Sequence, residues 1–290
     1  MHKRYPYSLI SLFALIFMSS CELYNPAEPT PAYIHIDKFI LNTAYLTEGS
    51  NSHKITDAWV YIDDQLLGCF ELPATFPVIA EGTHSVKIRP GIKVNGIAAT
   101  RSPYPFYSKH EQLVDFQAGT TVTLTPSVSY LATTRFAFLE DFEGAGVTIA
   151  ATSNSDTSFQ EIYSITPDPN VFEGTSSGVA YIDATRTFFE CATVAKYPLP
   201  INGSYVFLEF NYKCNYEFTV SVIAYGTSSS AQYTALNLNP SSNWNKAYIY
   251  LTPNVSGAFT AVDYKIAWGM LNSSGTDSAA LLLDNIKLVY

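Results

Sequence analysis

Apolar residues in this chain recur with a period of two, and that pattern confines it to sheets. Ala58, Val60 and Ile62 alternate with Trp59 and Tyr61, so each set faces one side of a strand. Asp63-Asp64-Gln65 reads as a turn, and Leu66, Leu67 and Phe70 as the returning strand. Further turns are expected at Glu81-Gly82, Pro90-Gly91 and Asn95-Gly96, the last being the strongest short hairpin signal. No stretch of this first region shows a helical period. The pattern resumes at Phe136, Phe138 and Phe142 and continues to the end. Strands are expected at 135–143, 146–151, 178–184, 188–195, 204–213, 217–225, 231–238, 246–252, 261–269 and 280–289. So many short strands point to a two-sheet sandwich. Pairing the first with the last would join the ends, as in a jelly roll. The expected fold is all-β, with two β-sandwich domains over 32–132 and 133–290, the second jelly-roll-like. Thr133-Thr134 leaves little linker, so contact between the domains is expected.

Composition excludes several functions. The chain has 16 basic and 25 acidic residues, a net charge of −9, which opposes nucleic acid binding. Its 21 Tyr and 18 Phe exclude disorder. Only five histidines occur, none after His110. His84 and His110 have no second His or Cys at metal-ligand spacing and read as turn or edge-strand residues. Gly174-Thr175-Ser176-Ser177-Gly178 matches a hydrolase nucleophile elbow in letters alone, because no histidine follows it to act as base. Glu190, Glu209 and Glu217 are acids of the kind that cleave glycosides, but nothing in the sequence separates them from surface carboxylates. The absence of any CxxC argues against zinc and thiol redox chemistry. Cys69, Cys191 and Cys214 are expected as buried thiols, with a Cys191–Cys214 disulfide as the alternative. The expectation is a protein that is not an enzyme.

The N-terminus carries an address. His2, Lys3 and Arg4 precede an apolar run from Ser8 to Met18, too short to span a bilayer and fitted to an export signal. Met18-Ser19-Ser20-Cys21 resembles a bacterial lipobox, with Ser before the Cys as in surface lipoproteins of the Bacteroidetes type. The resemblance implies a signal peptide over 1–20 and lipidation of Cys21 by acyl chains such as palmitate. Residues 21–31, with Pro26, Pro29 and Pro31, then form an extended tether. Glu22 is not the aspartate tied to inner-membrane retention, so the resemblance implies the outer membrane, on either its periplasmic or its surface face. Asp277-Ser278-Ala279 resembles the Asp–Ser/Thr–apolar tripeptide O-glycosylated in such envelopes, which nominates Ser278.

Trp59 to Gly91 resembles the PEGA-type β-sandwich module through Val60-Tyr61-Ile62-Asp63-Asp64, Gly68, Pro73 or Pro77, and Gly82-Thr83-His84-Ser85-Val86. Such modules are typically non-catalytic envelope parts. Residues 136–290 resemble carbohydrate-binding and galactose-binding-like jelly rolls. The shared features are Phe142-Glu143 on the opening strand, Phe172-Glu173-Gly174-Thr175-Ser176, and a closing strand Leu281-Leu282-Leu283-Asp284-Asn285-Ile286. In many such modules those places meet at a structural calcium ion, which nominates Asp141, Glu143 and Asp284 as ligands. Aromatic rings stack on sugar faces while amides bond hydroxyls. That nominates Trp244, Trp268, Tyr216, Tyr225, Tyr233, Tyr248 and Tyr250, with Asn243, Asn245 and Gln232, against the alternative that most of these rings are core. The Tyr104-Pro105-Phe106-Tyr107 segment is expected as a loop packed against the sandwich.

The leading functional expectation is a non-catalytic, lipid-anchored structural or protein-interaction component of an outer-membrane complex. The alternative is a glycan-binding surface lipoprotein that uses aromatics of the second domain. An exposed row of Trp and Tyr on one sheet face is the sign of the second. A flat apolar patch or a contact surface between the domains is the sign of the first.

Overall fold

The computed structural model describes residues 28–146, 148–273 and 278–290. The signal segment, Cys21 and the first part of the tether lie outside them, as does Asp277. The described chain is built almost wholly of strands. In the first domain these are β1 (Ala32–Ile36), β2 (Ile40–Asn42), β3 (Asp57–Ile62), β4 (Gln65–Glu71), β5 (Ala74–Val78), β6 (Gly82–Lys93), β7 (Arg101–Pro103), β8 (His110–Phe116), β9 (Thr121–Leu124) and β10 (Ser127–Ser129). A four-residue helix α1 (Tyr45–Glu48) interrupts them. One sheet runs β4-β3-β6-β7, with β8 also on β6; the facing layer comprises β5-β1-β9 and the pair β10-β2. Asp63 and Asp64 take φ of 47° and 66°, the left-handed pair that a two-residue hairpin turn requires. Ile34, Ile36, Val60, Ile88 and Phe116 fill the space between the layers.

The second domain follows with β11 (Phe136–Glu140), β12 (Ile149–Ala151), β13 (Gln160–Tyr163), β14 (Ser176–Ile182), β15 (Phe188–Thr193), β16 (Phe207–Cys214), β17 (Phe218–Tyr225), β18 (Ser230–Leu238), β19 (Ser241–Tyr250), β20 (Asp263–Leu271) and β21 (Ala279–Val289). A short helix α2 (Thr252–Gly257) closes one end. One sheet has the order β13-β14-β21-β16-β19, with β11 paired to β21; the other is β12-β15-β20-β17-β18. First and last strands pair antiparallel, Phe138 opposite Leu288 and Glu140 opposite Ile286. Phe189, Phe210, Trp268 and Leu283 lie between the two sheets.

The first domain sits on the outer face of the sheet that contains β16, β19 and β21. Phe207, Tyr248 and Val289 of the second domain belong to the first domain's core. The 104–107 segment is the wedge between them. Tyr104 packs edge-on against Phe207 and Tyr248, with centroids at 5.2 and 5.1 Å. Beneath it Glu209 is fully buried, accepting hydrogen bonds from the Tyr104 hydroxyl at 2.7 Å and the Tyr130 hydroxyl at 3.0 Å. Lys246 Nζ lies 3.7 Å from Glu209. Lys287 Nζ donates to the Ser50 carbonyl at 2.6 Å. Buried charges persist only when paired or hydrogen-bonded, and this face holds a set of them. Burial lowers Lys246 and carries Lys287 down to about 8, while Glu209 pulls both the other way. Burial and the Glu209 charge hold the Tyr104 and Tyr130 hydroxyls well above the usual tyrosine range.

Candidate functional site

With one sheet of the second domain covered, the outer face of the other remains open. Its alternating residues come from four strands. Phe188 and Glu190 point outward from β15, Ala267 and Gly269 from β20, Thr219 and Ser221 from β17, and Gln232 and Thr234 from β18. Register aligns them in rows. Glu190 sits beside Gly269, which faces Thr219. Ala267 faces Ser221, which faces Thr234. The result is a groove of about 270 Å³. Small side chains of β20 form its floor, while Trp268 and Met270, of opposite parity, enter the core.

Glu190 is the charged group of this groove and is itself largely buried. Its Oε1 accepts from the Thr152 hydroxyl at 2.8 Å and its Oε2 from Gln232 Nε2 at 2.8 Å. The carboxylate is thereby fixed in place. A carboxylate accepts and an amide both donates and accepts, so the pair brings hydrogen-bonding atoms of both kinds to one place in the groove.

The nominated aromatics do not form a row. Trp268 and Tyr248 are buried, the first in the sandwich and the second between the domains. Both are corrections to the sugar-stacking expectation, because each ring points to the covered side of its strand. Tyr216 packs against the sandwich core and Tyr250 against the first domain's core. Trp244 is half-buried; its indole donates to the Pro169 carbonyl at 3.1 Å and its ring meets Phe172 at 5.4 Å. Tyr225 carries Lys196 Nζ 3.8 Å above its ring, and Tyr233 is exposed on the edge strand β18. Asn243 is exposed. Asn245 donates to the Tyr212 hydroxyl and accepts from Lys54, so it serves the scaffold.

The three nominated calcium ligands have their own protein partners. Glu143 accepts from the Thr175 and Ser176 amides at 2.7 and 2.8 Å and from the Thr175 hydroxyl at 2.8 Å. Asp141 accepts from the Tyr45 hydroxyl at 2.7 Å and the Glu143 amide at 3.1 Å. Asp284 accepts from the Ser177 hydroxyl at 2.5 Å and the Asn285 amide at 2.6 Å. Among the described residues no group of three or more His, Cys, Asp or Glu is arranged to hold a metal. The chain ends do adjoin, and each of these carboxylates is turned to hydroxyls and amides of the protein. Asp284 rises from an ordinary 3.8 to about 7, chiefly through burial, with the Ser177 and Asn285 bonds opposing.

Other nominated residues fall into place. His84 bonds Asp63 at 2.6 Å and the Glu81 carbonyl at 3.0 Å, and His110 bonds Gln112 at 3.1 Å. Cys69, Cys191 and Cys214 are free thiols. Cys191 and Cys214 lie on β15 and β16, which belong to opposite sheets. Ser177, in the elbow-like segment, is buried against Asp284. Glu209 lies between the domains and Glu217 on the surface. Ser278 is exposed. Sequence reading missed the groove floor. Its trace is the small–large alternation Ala267-Trp268-Gly269-Met270, which marks an open face opposite a packed one.

No family model matches the chain, and no curated protein sequence matches it. Solved structures with a similar fold match about half of it. The family 11 carbohydrate-binding module from Clostridium thermocellum, in complex with a β-1,3-1,4-mixed-linked tetrasaccharide, is 12% identical with a TM-score of 0.37, over 53% of this chain and 94% of that one. The K2 cleaved adhesin domain of Lys-gingipain is 12% identical with a TM-score of 0.37, over 55% and 98%. TmCBM61 in complex with β-1,4-galactotriose is 11% identical with a TM-score of 0.30, over 48% and 85%.

Proposed function

We propose that this chain is a lipid-anchored, non-catalytic envelope protein whose second domain binds a glycan in the groove over β15, β20, β17 and β18. The observation that carries the reading is the Glu190–Gln232 pair. A largely buried carboxylate is held by Thr152 and Gln232 at the wall of an open groove. Holding it there before a ligand arrives lowers the ordering cost of binding. Hydroxyl, amide and carboxylate groups converge over a floor of small residues, and the Glu190–Gln232 bond spans that floor. The first domain lies on the opposite sheet and leaves the groove free. Anchorage rests on the lipobox-like segment ending at Cys21. Ser278, exposed beside β21, remains the nominated glycosylation position.

The test is a glycan array probed with the full chain, followed by calorimetry on any hit. Retention of full affinity by Glu190→Gln would remove the groove from the reading. Release of Cys21→Ser from the membrane fraction, or its accumulation as uncleaved precursor, is the expected result for the anchor.

The second reading is a structural or protein-interaction component. It is favoured by the contact surface between the domains, through which Phe207, Tyr248 and Val289 enter the first domain's core. That surface and the groove occupy opposite sheets, so glycan binding tests one without disturbing the other.

A further inference from the structure

The first domain exposes an apolar groove of about 700 Å³ at the point where the tether enters it. It lies along the open edge of the sandwich, between the edge strands β4 and β5. Leu66 and Leu67 come from β4, and Ile79 follows β5. Their exposures are 52%, 39% and 74%, although they adjoin one another along this groove. Isolated exposed apolar residues are ordinary, whereas a contiguous group of them marks a contact surface. We propose that this groove rests on the bilayer interface that holds the chain's own lipid anchor.

Chain length favours that occupant. Glu28, Pro29 and Pro31 themselves line the groove. Cys21 is seven residues before Glu28. At about 3.3–3.6 Å per residue, the tether spans at most about 25 Å. A surface so close to the anchor meets the membrane at high effective concentration, so weak apolar contact suffices. The edge is unsuited to an added strand, since Pro77 in β5 lacks an amide donor. The charges argue for apolar contact and against attraction to anionic lipid. His84 is paired with Asp63 at 2.6 Å, Lys87 is paired with Asp64 and Glu111, and Glu28 lines the groove. The inference rests on the proposed anchorage at Cys21 and is independent of the glycan reading.

The test uses the full lipidated chain in phosphatidylcholine vesicles. Cys69→Ser removes the half-buried thiol, and a nitroxide is placed by Leu67→Cys, Ile79→Cys or, in the other domain, Phe259→Cys. Power saturation then compares collisions with oxygen and with a water-soluble nickel complex. The expected result is oxygen accessibility at least threefold above nickel accessibility at 67 and 79, and the reverse at 259. Leu66→Asp combined with the label at 79 should return that position to aqueous values while the protein still floats with the vesicles. Aqueous values at 67 and 79 in floating protein would overturn the proposal and leave the anchor standing. Protection from both reagents would overturn it in favour of a protein partner. Failure of the unsubstituted chain to float would overturn the anchor and this inference with it.

Discussion

Gln232 and Glu190 join at 2.8 Å although they stand on strands separated by two others. At about 4.8 Å per strand, a flat sheet would hold β18 and β15 about 14 Å apart. The face between them is therefore concave, and the two side chains converge across it. Curvature turns a row of small residues on β20 and β17 into a floor, and the polar pair into a fixed recognition element.

Glycan affinity should depend on this pair and not on Trp244. Hydrogen bonds to a charged group contribute about 1.5–3 kcal/mol each. Glu190→Gln and Gln232→Ala are accordingly expected to weaken binding about tenfold or more, while Trp244→Ala leaves it within about twofold. Calorimetry against an array hit checks the ranking.

The buried charges between the domains should respond unequally to removal. Glu209 accepts from two tyrosine hydroxyls, whereas Lys246 Nζ lies 3.7 Å from it, an ion pair longer than a good hydrogen bond. Glu209→Ala leaves the buried Lys246 charge without its counter-charge and two hydroxyls without their acceptor, and should cost about 3–5 kcal/mol. Lys246→Met is expected to cost less than half of that. Urea unfolding of the two variants compares them, and equal losses would contradict the arrangement.

Stability should fall and then recover with rising pH. Asp284 holds its proton up to about 7 when folded but only to 3.8 otherwise. The folded state therefore binds more protons across that window, and stability drops as pH climbs from about 4 to about 7. Lys287 releases its proton near 8 when folded and at 10.5 otherwise, so stability rises again over that range. Each swing is on the order of a few kcal/mol, at about 1.4 kcal/mol per pKa unit. Asp284→Asn should flatten the lower window and Lys287→Met the upper one, measured by denaturant unfolding across pH.

Gly174 and Gly203 separate two costs of adding a methyl group. Both have left-handed backbone, with φ of +70° and +82°. Among the described residues a Cβ at Gly203 meets nothing within 4 Å, while one at Gly174 falls 2.3 Å from Glu143 Oε1. Gly203→Ala should therefore cost only the backbone penalty of about 1–2 kcal/mol. Gly174→Ala must also dislodge Glu143 from the Thr175 and Ser176 amides and should cost about 3 kcal/mol or more. Melting midpoints of the two variants give the comparison.

Local chemistry alone determined the all-β fold and many of its turns. Alternation at 58–62 became β3, Asp63-Asp64 became its turn, and Phe138 came to lie opposite Leu288 as the ends joined. These depend on residues adjacent in sequence or on a pattern repeated along it. Burial of the polar face did not follow from such a pattern. Glu209, Asn211, Lys246 and Lys287 occupy alternate positions that in an isolated sandwich would meet water. They are buried because another domain covers them, and that domain's Tyr104 and Tyr130 supply the donors. The aromatics followed the same logic: parity within a strand sorts Trp268 from Ala267, but only the stacking of sheets and domains decides which parity faces solvent. Glu190 and Gln232 were visible as residues, yet their meeting across a groove depends on sheet curvature, a property of four strands together.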